Sequence, residues 1–130
     1  MAIPASFKLD RIRFDRGYNW DFSVQISENG SIVDPTGWSA ELEIRDKSNQ
    51  QIVRIQTSPA PPGSPASTGQ GSITVDSSNK WFLCSFSATA ESVAEGSYFI
   101  EAKAWDTSGN PWPLIPLRLC EIGRTIMRGI

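Results

Sequence analysis

WDFSVQISENG, residues 20 to 30, decides how this chain is read. Trp20, Phe22, Val24 and Ile26 alternate with Asp21, Ser23, Gln25 and Ser27. A period of two puts the first set on one face of a strand and the second on the other. The apolar face needs a core and the polar face suits water, as in an antiparallel sheet covered on one side. The turn Glu28 to Gly30 follows, with Asn29-Gly30 supplying the positive φ angles of a tight reversal.

The same code recurs along the chain. Trp38, Ala40, Leu42 and Ile44 alternate with Ser39, Glu41, Glu43 and Arg45, and DKSNQ then turns into a weaker strand carrying Val53 and Ile55. Ile73 and Val75 mark a short strand, SSNK a turn, and Phe82, Cys84 and Phe86 the next strand. Tyr98, Ile100, Ala102 and Ala104 alternate with Phe99, Glu101, Lys103 and Trp105. DTSGN turns again into PWPLIPLRLCEI, whose prolines in the first half suit an edge or bulged segment. Near the start, Phe7 and Leu9 are out of phase with Ile12 and Phe14, which predicts a bulge or a strand that changes sheets.

Two segments break the pattern. SPAPPGSPASTGQG, residues 58–71, is too rich in proline and too poor in large side chains for a helix or central strand. It predicts a surface loop, partly polyproline, between two strands. SATAESVAEG predicts one short helical turn, capped by Ser87 or Thr89 and stopped by Gly96.

The expected fold is therefore all-β: an antiparallel immunoglobulin-like β-sandwich of about seven or eight strands with one short helical turn. Its expected core includes Trp20, Phe22, Val24, Ile26, Trp38, Leu42, Ile44, Phe82, Phe86, Tyr98 and Ile100. Tyr98, just after Gly96 at the start of a strand, stands where a tyrosine corner would form. The residue two places on is Ile100, so the antibody disulfide is missing. At 130 residues the chain reads as one domain, 1–130, with enough length to bury roughly two-thirds of its unfolded surface.

Composition narrows function by exclusion. A net charge of −2 gives no overall pull toward nucleic acid or an anionic membrane, and no apolar run is long enough to span one. MAIPASFKLDRIRF lacks the apolar stretch of a secretory signal. The two cysteines, Cys84 and Cys120, are too few for a disulfide framework and suit free thiols made in a reducing cytoplasm. The chain has no histidine, no nucleophile elbow and no phosphate-cradling loop, so no enzyme, metal or cofactor is expected. DTSGN lacks the ligand run of a calcium loop and reads as an aspartate turn.

DRGYNWDFSVQISENGSIVDPTGWSAELEIRDKSNQQIV resembles the small immunoglobulin-like domains of tailed bacteriophages. Arg16-Gly17, Asp34-Pro35-Thr36-Gly37 and Ile44-Arg45-Asp46 stand where that family has its turn and strand-end motifs. FSATAESVAEGSYFIEAKAWDTSGN continues the likeness, and Gly123-Arg124-Thr125 approximates its closing signature. The resemblance runs from Phe14 to Thr125 and is similar to the N-terminal domain of BppU-type upper baseplate proteins. Tyr18 replaces the family's usual aspartate, and the proline-rich loop exceeds its short connection. The resemblance implies a non-enzymatic virion structural protein, made in the bacterial cytoplasm and acting by contact with other phage structural proteins in a symmetric assembly of many copies. Tail, baseplate or neck is the favoured place; the alternative is a capsid decoration protein of the same fold or, less expectedly, a carbohydrate- or receptor-binding module.

Contact surfaces follow from residues that the core does not claim. Trp81, Trp105 and Trp112 fall outside the cleanest inward phases or beside turns, where they cover the core or the ends of the sandwich, anchor a protein partner or, less expectedly, stack on a glycan. Lys8, Arg11, Arg13 and Arg16 lie in or beside the first strand and Arg118, Arg124 and Arg128 in or beyond the last. In a sandwich these strands run close together, which predicts one basic flank. Ile126 and Met127 make residues 123–130 a possible docking tail.

Overall fold

The computed structural model describes residues 12–15, 20–65, 69–87, 90 and 93–123. These form an immunoglobulin-like β-sandwich. Ten strands follow in order: β1 (Ile12–Asp15), β2 (Phe22–Val24), β3 (Ser27–Glu28), β4 (Ser31–Ile32), β5 (Ser39–Arg45), β6 (Gln51–Gln56), β7 (Gly71–Asp76), β8 (Trp81–Phe86), β9 (Gly96–Trp105) and β10 (Pro111–Gly123). One sheet has the order β1-β10-β9-β5-β6, the facing sheet β2-β8-β7, and β3-β4 is a separate small hairpin. The ten exceed the seven or eight expected because the alternating stretch 20–32 divides into three short pieces.

Inward residues align in rows across the larger sheet. Val53 sits beside Ile44 and Ile44 beside Ile100; Ile55 sits beside Leu42 and Leu42 beside Ala102. In the next row Trp112 lies opposite Ala104, which lies opposite Ala40. Two alanines there leave room for an indole, so volume is balanced within the row. Phe82 and Cys84 of β8 and Ile73 of β7 are buried from the opposite sheet. Aromatic clusters close the two ends of β8. Phe14, Trp20, Phe22 and Phe86 gather at one end with ring centroids 4.9–6.0 Å apart. Trp38 meets Phe82 at 6.4 Å and Trp112 at 5.3 Å at the other. Phe22 and Trp38, expected in the core, are half-buried and pack against it from the margins.

Turn chemistry matches its sequence signals. Asn29 and Gly30 have φ of 54° and 82°, joining β3 to β4 as a tight two-residue turn. DKSNQ and DTSGN form one design: Asp46 Oδ1 accepts from the amides of Ser48 and Gln50, and Asp106 Oδ1 from those of Ser108 and Asn110. The Tyr98 hydroxyl donates to the Ala94 carbonyl at 2.7 Å, completing the tyrosine corner.

Several expectations need correction. The sandwich is not wholly antiparallel, because β1 runs parallel to β10, with Ile12 opposite Cys120. The helical turn expected within 87–96 falls largely outside the described residues; within it Ala90 has a 3-10 conformation, its amide donating to Ser87 Oγ at 3.4 Å, and no α-helix occurs among the described residues. The run 58–71 is more than a surface loop. Pro61 is buried, and Gly71 already belongs to β7, at φ 146° and so close to the sheet that a Cβ would strike the Ser85 carbonyl. Phe7 and Leu9 lie outside the described residues. The prolines of β10 sit as expected: register shifts fall between Pro113 and Ile115 and between Ile115 and Arg118, and β1 pairs only with Cys120–Gly123.

Candidate interaction surfaces

The tryptophans are mostly latched into the fold. Trp112 Nε1 donates to Asp106 Oδ2 at 3.1 Å, and Trp81 Nε1 donates to Asp76 Oδ2 at 3.2 Å. Each aspartate organises its turn with the remaining lone pairs, Asp76 taking the Asn79 amide and side chain. Asp106 is held below the usual carboxylate range first by the Asn110 amide and then by Trp112; Asp76 is held there first by the Asn79 side chain and amide. Trp112, expected at an interface, is therefore half-buried and committed to its own hairpin. The sequence carried the signal, an aspartate before each turn and a tryptophan just after it. Trp105 is half-buried on β9, opposite Ser39 and Pro111.

At the β1–β10 flank Arg13, the one arginine of the expected group 11, 13, 16, 124 and 128 among the described residues, is paired with carboxylates. Arg13 Nε donates to Asp15 Oδ1 at 2.9 Å, and its NH1 donates to Glu121 Oε1 at 2.8 Å. Asp15, then Glu121, raises the guanidinium pKa further. Arg11, Arg16, Arg124, Ile126, Met127 and Arg128 lie outside the described residues. This flank also presents apolar surface: Leu117 is 64% exposed and Leu119 51% on β10, with half-buried Phe99 opposite Leu119. The sequence reading passed over this pair, although Leu117 and Leu119 share their phase with Glu121 and not with buried Cys120 and Ile122.

The opposite flank is closed by polar side chains. Arg54 lies opposite Glu43 on the outer face of β6, yet its side chain is only 1% exposed. Its guanidinium lies 3.1 Å from Glu41 and 3.7 Å from Glu43. Ser64, from the proline-rich segment, donates to Glu41 at 2.6 Å. Gln70 completes the seal: its Oε1 accepts from the Arg54 amide at 2.9 Å and its Nε2 donates to the Ile52 carbonyl at 3.0 Å. One side-chain amide thus supplies the donor and acceptor that a further strand would offer. Neither Arg54 nor Gln70 stood out in the sequence, because an arginine on an outward face ordinarily points to water.

A cleft of about 620 Å³ lies along the outer side of β7, between the start of β5 and residues 56–62. Trp38, Ser39, Gln56, Ser58, Ser72 and Thr74 are among its walls. Gln56 is 8% exposed, and its Oε1 has no hydrogen-bond partner among the described residues.

Cys84 and Cys120 are buried and free, their pKa values pushed up to about 12 mainly by desolvation, so both are neutral thiols at physiological pH. Among the described residues no group of three or more histidine, cysteine, aspartate or glutamate side chains is placed to hold a metal ion.

No protein-family model and no curated protein matches the sequence. By structure, the chain is similar to CopC from Methylosinus trichosporium OB3b, with a TM-score of 0.51 and 8% identity over 89% of this chain and 86% of that one. It is one of 74 matching chains of known structure, so the architecture is widely shared. A likeness at that identity carries the sandwich fold and no activity.

Proposed function

We propose that this domain is a non-enzymatic structural subunit of a bacteriophage virion, in the tail, baseplate or neck, working by contact with neighbouring subunits. The observation that carries the reading is the pair Leu117 and Leu119, standing in water on the final strand. Large apolar side chains grouped on an outer strand face favour a protein partner, because covering them releases their hydration. On its edge away from β9, β10 has no strand partner before Cys120 among the described residues. The motifs shared with phage immunoglobulin-like domains give the partner its class: other virion proteins, in repeated copies. The turn and corner motifs of that resemblance perform structural work here, holding hairpins and the start of β9, which suits a rigid spacer.

The test is location. Gradient-purified particles from the lysate of cells carrying the gene are probed with gold-labelled antibody to this chain. Label on tails or baseplates is the expected result. Label over the head surface would move the assignment to a capsid decoration protein of the same fold. Particles without the chain would overturn the virion reading.

A further inference from the structure

We propose that the cleft beside β7 binds a neutral saccharide. The inference is independent of the virion assignment, since it rests on the opposite flank of the sandwich and on different residues.

The walls define the chemistry of the occupant. None of the thirteen described residues that line the cleft is charged. A phosphate, carboxylate or ammonium group would lose its hydration there with nothing of opposite sign to meet it. The polar groups present are hydroxyls and an amide: Ser39, Ser58, Ser72 and Thr74 as donors or acceptors, with Gln56 deeper in. Trp38 adds an aromatic wall, braced from behind by Phe82 and Trp112. Sugars combine many hydroxyls with weakly apolar C–H faces, and this mixture of hydroxyl, amide and indole complements both.

Gln56 is the specific pointer. Burying an amide oxygen without a partner is costly, and native proteins rarely tolerate it without a reason. Neighbouring Thr57 meets its own needs through the Ala40 amide and the Pro59 carbonyl, so the fold supplies partners one residue away and none to Gln56 Oε1. Oε1 itself has almost no accessible surface, so a ligand hydroxyl, a donor of the right strength and size, is met by a turn of the Gln56 side chain into the cleft that it lines. The outer edge of β7 strengthens the case: among the described residues only β8 pairs with this strand, so backbone groups of residues 72–75 can also reach the cleft. An added peptide strand fits less well. The cleft meets β7 over Ser72–Val75 alone, fewer residues than the five or six of an ordinary strand (about 5–6).

The experiment is a titration of the 15N-labelled chain with glucose, galactose, mannose, N-acetylglucosamine and their disaccharides, to about 50 mM, followed by amide shifts. The expected result is saturable shifts at Ser39, Gln56, Ser58 and Ser72–Val75 with at least one of them. Gln56→Met keeps the side-chain volume and removes the amide. It should weaken binding by about tenfold or more while the melting temperature stays level or rises. Trp38→Phe, a gentler change at the wall, should weaken binding with the shift pattern of the rest of the sheet unchanged. No saturable response to any sugar, shifts mapping elsewhere, undiminished binding by Gln56→Met, or saturation only with a neutral peptide would each overturn the proposal.

Discussion

Arg54 and Arg13 each sit between two carboxylates, on opposite edge strands of the same five-stranded sheet. The Arg54 side chain is 1% exposed and the Arg13 side chain 50%. The chemistry is shared, so the difference is solvent. At β6 the proline-rich segment brings Ser64 and Gln70 over the pair and removes water, and every charge must be matched inside the fold. At β1 water screens the same attraction, so the ion pairs can form and break with little effect on folding. One flank is built into the fold; the other is left available.

The sharpest way to break this contrast is Arg54→Ala. Removing the cation strands Glu41 and Glu43 near one another under the loop and empties the space that the arginine stem fills. The expected loss is about 3 kcal/mol of unfolding free energy, the low end for a broken buried pair because both glutamates retain about a fifth of their surface in water. Urea denaturation measures it. A triple variant, Arg54→Met with Glu41→Gln and Glu43→Gln, should recover much of the loss, since no uncompensated charge remains. If Arg54→Ala were as mild as the corresponding change at Arg13, burial would not be what separates the flanks.

Gln70→Ala should come next. It removes the two hydrogen bonds that seal the outer edge of β6, at an expected cost of about 1–2 kcal/mol. The effect should also be local. Exchange of the Arg54 amide with solvent deuterium should accelerate more than that of Leu42 or Ile100 in the sheet interior, which opens only with the whole domain. Equal acceleration throughout would mean that Gln70 stabilises the sandwich generally and does not guard an edge.

This contrast also marks where the sequence was legible. Alternation found most of the inward set, because a side chain's face follows from a period of two whatever the tertiary setting. Ala40, Leu42, Ile44, Tyr98, Ile100, Ala102 and Ala104 are all buried. Turns were equally plain, since Asn29-Gly30 and the Asp46 and Asp106 turns are decided by groups within a few residues. The rest depends on partners far along the chain. Arg54 is buried by a loop sixteen residues on, through Gln70. Trp112 could pass for a free surface aromatic until Asp106, across its turn, accepts its indole N–H. The parallel pairing of β1 with β10 joins Ile12 to Cys120, and no local pattern encodes a contact at that separation.

Acid should weaken the fold through its aspartate turns. The carboxyls of Asp34, Asp76 and Asp106 are held below their usual range: by the Thr36 hydroxyl and amide, by Asn79, and by the Asn110 amide with Trp112. A pKa lower in the folded state means that stability is fully present above the unfolded carboxylate value, about 3.9, and is lost as pH falls toward the folded values. Melting temperature should therefore decline below about pH 4. Asp76→Asn with Asp106→Asn should flatten that decline while lowering stability at neutral pH. A decline of unchanged steepness would assign the acid sensitivity elsewhere.

The smallest expected effect on folding belongs to the open flank, and there its smallness is informative. Arg13→Ala should leave the thermal midpoint indistinguishable from that of the native chain, because its partners remain hydrated without it. Leu117→Ser with Leu119→Ser should change unfolding free energy by no more than about 0.5 kcal/mol, since both side chains already stand in water in the free domain. Association is where the leucine variant should register. If this flank meets a neighbouring subunit, incorporation into particles should fall severalfold while circular dichroism and melting stay unchanged. Gln70→Ala should show the reverse, weakened folding with incorporation retained wherever the domain remains folded. Normal incorporation of the leucine variant would remove β10 from the interface, and a large loss of its stability would mean that these leucines serve the fold.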